Sequence, residues 1–145
     1  REWLQVGDGQ IIAQRISRDL KKTLGEPKAL FSASSAPWVK EKSGTHVTDA
    51  PVVNRLPDGS LYMTGSSFSG GKYRIGVARS PSGRIDGEWI HDPECLNSDD
   101  GGHAMVFKTF GGKLKISYHA PNSKNETLTI RDFALKGGKF FISGE

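Results

Sequence analysis

Residues 48–68 read TDAPVVNRLPDGSLYMTGSSF, and residues 101–121 read GGHAMVFKTFGGKLKISYHAP. Placing Asp58-Gly59 over Gly111-Gly112 aligns Val53 with Val106, Leu61 with Leu114 and Met63 with Ile116, and neither copy needs a gap. Each copy is an apolar run, a tight turn and a second alternating run, the pattern of an antiparallel hairpin. In the second copy Leu114, Ile116 and Tyr118 share one face while Lys113, Lys115 and Ser117 share the other, a period of two. A repeat of about fifty residues built from such short strands is the signature of propeller blades.

Working outward, residues 51–56, 61–66, 73–78 and 88–90 form a four-strand set, one complete blade within residues 49–98. Residues 104–110, 113–119, 127–133 and 139–142 form a second blade within residues 102–143. Residues 1–35 supply the end of an earlier blade: strand-like runs at 3–6, 10–17 and 28–31, the first two joined by the turn tripeptide Gly7-Asp8-Gly9. Residues 18–24 alone have a helical look, over barely two turns; Ser17-Arg18-Asp19-Leu20 marks a turn, and the polar stretch 32–45 around Trp38 reads as a crossing between blades. The expectation is an all-β fold: a β-propeller portion of about three blades of four antiparallel strands.

With 145 residues, one domain is expected, and 18 glycines suit many short strands joined by turns. No apolar run is long enough to span a bilayer, and no leader precedes the first strand, which starts so close to Arg1 that further sequence is expected upstream. A single cysteine, Cys95, rules out an internal disulfide framework and a paired-cysteine zinc motif. The net charge of +4 is dispersed among acids with no basic run, which argues against a nucleic-acid partner. Ser69-Gly70-Gly71-Lys72 leads into a strand and lacks the spacing of a phosphate loop, and Asn125-Glu126-Thr127 is a glycosylation acceptor only in a eukaryotic secretory route.

Because the turns at Asp58-Gly59 and Gly111-Gly112 lie at one end of their blades, the residues before the first strand and after the second gather at the other end. That face receives Asp49, Ser66, Ser67 and Phe68 from one copy, His103 and His119 to Asn122 from the other, and Glu2 and Trp3 from the N-terminal blade. Carboxylates, imidazoles and aromatic rings together point to a carbohydrate partner, since sugars stack on rings and bond to charged groups. Trp38 and Phe68 are candidate stacking platforms, whereas Trp89 reads as core and His46 and His91 have no claim.

At these residues the chain resembles glycoside hydrolase family 43. The resemblance is carried by REWLQVGDGQIIAQRISRDL, HVTDAPVVNRLPDGSLYM, GSSF, RIGVARSPSGRIDGEWIHDPE and DDGGHAMVFKTFGGKLKISYHAPN. It implies a five-bladed propeller that cleaves glycosidic bonds with inversion, using two carboxylic acids. The family's Glu-Gly-Pro turn bearing the general acid matches Asp49-Ala50-Pro51, so Asp49 is the candidate acid, one methylene shorter and followed by alanine where the family has glycine. The family's Gly-His pair matches Gly102-His103, making His103 the candidate ligand of a calcium or other cation, or of a water, on the propeller axis. Glu2, Trp3, Trp38, Ser67, Phe68 and His119 would shape the sugar pocket. The family's general base and a third aspartate would lie upstream of Arg1.

The resemblance therefore implies the C-terminal part of an extracellular or periplasmic hydrolase of arabinose- or xylose-containing saccharides, inactive as a piece. The alternatives are a non-catalytic sugar-binding propeller and a protein-interaction propeller. Taken alone, Asp49 is also a common strand-entry aspartate before proline, and His103 also reads as a structural histidine. An opened propeller exposes blade edges and walls, so the missing N-terminal blades or a second copy of the piece are the expected partners.

Overall fold

A computed structural model describes residues 7–40 and 46–143. The described residues form ten strands and one 3-10 turn at Ala33–Ser35. The strands are β1 (Gln10–Ile16), β2 (Thr23–Ser32), β3 (Asp49–Arg55), β4 (Leu61–Ser69), β5 (Lys72–Ser80), β6 (Ile90–His91), β7 (Gly102–Lys108), β8 (Leu114–Ala120), β9 (Thr127–Lys136) and β10 (Lys139–Ser143). They make three sheets: the hairpin β1-β2, then β3-β4-β5-β6, then β7-β8-β9-β10. Every strand pair is antiparallel. The fold is thus all-β, with sheets stacked as neighbouring propeller blades, as the repeat requires.

The central sheet is buried on both faces, and strand alternation assigns its side chains to two cores. Leu61, Met63, Ala78 and Trp89 pack with Ile11 of β1, supported by Leu30 and Phe31 of β2. On the opposite face Tyr62, Ile75 and Val77 pack with Ala104, Val106, Ile116, Tyr118, Phe133 and Phe140 of the last sheet. Ile75 and Ile116 are inaccessible to solvent, and a buried aliphatic side chain of this size contributes about 1.5–3 kcal/mol relative to exposure. The outer face of the last sheet has no such cover, and Met105, Leu128, Ile130 and Phe141 are exposed on it.

Residues 17–20 form the turn that the sequence marks, with Leu20 N–H bonded to Ser17 O at 2.9 Å, and no helix follows. Ser17 Oγ accepts the N–H groups of Lys21 and Lys22 at 3.2 and 3.0 Å and donates to Asp19 Oδ1 at 2.5 Å. These side-chain bonds close a turn with Leu20 at φ 61°, and β2 starts at Thr23, earlier than the strand at 28–31 that the sequence suggests. The run at 3–6 lies outside the described residues. Gly7 and Gly9 instead bond to the backbone of His46, through His46 N–H to Gly7 O at 3.0 Å and Gly9 N–H to His46 O at 2.8 Å. The Asp8 carboxylate accepts the Ser34 N–H and hydroxyl at 3.0 and 2.6 Å.

Candidate functional site

The two copies of the repeat carry the same backbone device at the same place. Between Asp49 and Val52 the register of β3 against β4 slips, and between Gly102 and Met105 that of β7 against β8 slips likewise. Within each bulge one non-glycine residue is left-handed: Ala50 at φ 48° and His103 at φ 54°, which are equivalent positions of the repeat. A side chain in this region costs about 1–3 kcal/mol and persists where the surroundings impose it. The bulges re-aim Asp49 and His103 at the end of the sheets opposite the Asp58-Gly59 and Gly111-Gly112 turns. There they line an open cleft with Val47, Phe68, Tyr73, His119, Asn122 and Glu126.

Tyr73 is the hub of this cleft. Its hydroxyl donates to Asp49 Oδ1 and lies 2.9 Å from His103 Nδ1. A tyrosine has one hydroxyl proton, so with that proton on the Asp49 bond the oxygen accepts from Nδ1–H of His103. His103 Nε2 then faces Asp49 Oδ2 at 3.9 Å. The His103 backbone N–H is held by Ser66 Oγ at 3.0 Å, and the Tyr73 N–H by Asp100 Oδ1 at 2.7 Å. Burial first, and then the hydrogen bond and charge of Asp49, push the Tyr73 phenol well above its ordinary value, so it stays protonated as a donor.

The ring of Tyr73 is boxed as firmly as its hydroxyl. It stacks on His119 at 5.6 Å and 13° and meets Phe68 at 5.0 Å. On another side it lies against Gly102, where a Cβ would fall 2.0 Å from Tyr73 Cε1. Gly102 therefore owes its identity to the ring it carries. The last wall is polar: His119 Nε2 is 3.3 Å from Asn122 Oδ1, and Glu126 stands at the end of the same loop.

Not every residue singled out from the sequence arrives here. Asp49, Phe68, His103 and His119 line the cleft. Trp38 does not: it is 7% exposed and lies flat on β5, where a Cβ at Gly76 would meet its Cζ2 at 2.1 Å. A ring in that position fills the space between β5 and the crossing segment and has no face free to stack on a sugar. Ser67 is equally buried and donates its hydroxyl to the Val47 carbonyl, tying β4 to the strand entry. Glu2 and Trp3 lie outside the described residues. Trp89, read as core, is core, with its Nε1–H bonded to Ile85 O at 2.8 Å.

Tyr73 and Glu126 escape a motif-based reading. The register supplies a signal for Tyr73: the Gly70-Gly71 turn pairs it directly with Phe68 and places both at the cleft end of the sheet. Among the described residues no three of His, Cys, Asp or Glu come together as a ligand set, and both nitrogens of His103 face protein partners. No cation enters the chemistry below.

Residues 1–138 match the sequence profile of glycosyl hydrolases family 43. The chain belongs to that family. Among solved structures, the family 43 chain described here is similar to an endo-arabinase from Bacteroides thetaiotaomicron VPI-5482, with 56% identity, a TM-score of 0.89 and 97% of this chain covered. It shares its fold with a thermostable family-43 glycoside hydrolase (23% identity, TM-score 0.80, 97% of this chain) and with an endo-1,4-beta-xylanase from B. thetaiotaomicron (23%, 0.73, 94%). It spans about half of each: 51%, 49% and 50% of their chains. The sequence has no significant match among curated proteins.

Proposed function

We propose that the protein carrying this chain is a glycoside hydrolase that cleaves arabinose- or xylose-containing polysaccharides or oligosaccharides with inversion. The observation that carries the reading is Asp49: a carboxyl aimed by a left-handed bulge into a cleft walled by Phe68, Tyr73 and two imidazoles. The 56% identity to an endo-arabinase over 97% of the chain supports the substrate class.

In this reading Asp49 protonates the departing glycosidic oxygen while a carboxylate across the sugar activates water. Inverting enzymes hold the two groups roughly 6.5–9.5 Å apart to admit that water. In this reading the base lies in the half of the relatives' length that this chain does not span, and the 145 residues alone are expected not to turn over. The blades that supply it cover the exposed Met105, Leu128, Ile130 and Phe141. Phe68 and His119 present rings to the sugar, and Asn122 and Glu126 bond to its hydroxyls. A polysaccharide substrate is met outside the cytoplasm, which supports an extracellular or periplasmic enzyme.

A second reading, a propeller that binds sugar without cleaving it, is favoured by one observation. Asp49-Ala50 replaces the Glu-Gly that the resemblance implies, shortening the acid and straining the turn. The natural protein incubated with arabinan and xylan decides between them: NMR of the first product shows its anomeric configuration, and Asp49→Ala loses turnover but keeps binding if Asp49 is the acid. Unchanged turnover in Asp49→Ala removes Asp49 from the mechanism. Binding without turnover in the unaltered protein establishes the second reading.

A further inference from the structure

Among the residues of the cleft, Tyr73 alone touches both Asp49 and His103, and no motif in the sequence marks it. We propose that Tyr73 is the positioning residue of the acid: it pins Asp49 Oδ1, so that Oδ2 is the oxygen that carries the proton and delivers it to the leaving group. The inference rests on the general-acid reading of Asp49.

The geometry argues for a fixed direction of transfer. Oδ1 accepts the Tyr73 hydroxyl, whose orientation is set in turn by Nδ1–H of His103 at 2.9 Å. A carboxyl protonated on Oδ2 keeps Oδ1 as an acceptor, so the Tyr73 bond persists before and after transfer and the carboxyl does not rotate. In the step itself the Oδ2–H bond breaks, an O–H bond forms on the glycosidic oxygen, the glycosidic C–O bond breaks to release the alcohol, water bonds to the anomeric carbon from the opposite face and gives its proton to the base, and Asp49 is left ionised. Tyr73 loses no proton at any stage. Its ring cannot drift, because Gly102, Phe68 and His119 close on it and it is 3% exposed. This rigidity matters because Asp49, on the bulge, is one methylene shorter than a glutamate and its reach leaves little slack.

The test compares leaving groups. In the natural protein, Tyr73→Phe keeps the ring and removes only the hydroxyl. Turnover of an oligosaccharide, whose sugar leaving group needs the acid, is expected to fall about 10- to 100-fold in kcat with KM held within about twofold. Turnover of the 4-nitrophenyl glycoside of the same sugar, whose leaving group needs little protonation, is expected to stay within a few-fold. In the Asp49→Asn background Tyr73→Phe is expected to add no further loss. Equal losses on both substrates, or an undiminished loss in the Asp49→Asn background, overturn the positioning role and leave Tyr73 a packing residue. If Asp49→Asn itself leaves oligosaccharide turnover intact, the general-acid reading falls and takes this inference with it.

Discussion

Replacing Gly102 by alanine tests the architecture of the cleft without substituting any of its polar side chains. A Cβ there falls 2.0, 2.3 and 2.8 Å from Cε1, Cδ1 and Cζ of Tyr73. Ordinary contact begins about 3.4 Å apart, so the ring or the strand must give by more than 1 Å. The ring has nowhere to go, since His119 stacks on it and Phe68 packs beside it. Overpacking of this kind costs about 1–3 kcal/mol. Displacing the hydroxyl from Asp49 loses a hydrogen bond worth about 0.5–1.5 kcal/mol. The sum is a destabilisation of about 1.5–4.5 kcal/mol, a fall of roughly 5–15 °C in melting temperature for a domain of this size. The comparison is Gly65→Ala, whose Cβ meets only Asp49 O at 3.7 Å and fits without displacement. Urea denaturation of both variants and the parent, with m checked for constancy, reads the difference. If Gly102→Ala came within about 1 kcal/mol of Gly65→Ala, the claim that Tyr73 rests on Gly102 would be refuted.

Two further outcomes follow from the backbone and from a partly buried imidazole. Ala50→Gly relieves the left-handed strain at φ 48° and should raise stability by about 0.5–1 kcal/mol after the extra entropy of glycine is subtracted; a lower melting temperature would show that the bulge is unstrained. His91 is partly buried against Phe31 at 4.6 Å, with Nε2 3.3 Å from Ser35 Oγ, and the loss of solvent around it lowers its pKa from 6.5, opposed by the charge of Asp92. A base with a depressed folded pKa gives stability that is present above the unfolded value and is lost as pH falls below about 6.5. Melting temperature should therefore drop between pH 7 and 5, and His91→Gln should flatten that slope; an equal slope in the variant would place its cause elsewhere.

The strands, their pairing and their turns were legible in the chain because those signals are local. Period-two alternation in residues 113–118 and the Asp58-Gly59 and Gly111-Gly112 turns depend on neighbours a few residues away, and β3 to β10 form where they indicate. The same holds for the crowding of Asp49, His103, Phe68 and His119 at one end of the blades, since a hairpin turn dictates which residues lie opposite it. The turn at Ser17 to Leu20 is local too: the Ser17 and Asp19 side chains take the backbone N–H groups of Lys21 and Lys22 and close it.

What only the tertiary structure decided is which of those side chains face solvent and which face protein. Trp38 and Phe68 are both aromatic residues next to loops, yet one is sealed against Gly76 and the other opens on the cleft. Tyr73 looks in sequence like any strand tyrosine, and its meeting with Asp49 and His103 joins residues 24 and 30 positions apart. Those contacts are made by the stacking of one sheet on the next and by two bulges that shift register by less than a turn of pattern. A strand's period states which residues share a face; only the packing of blades states what that face meets.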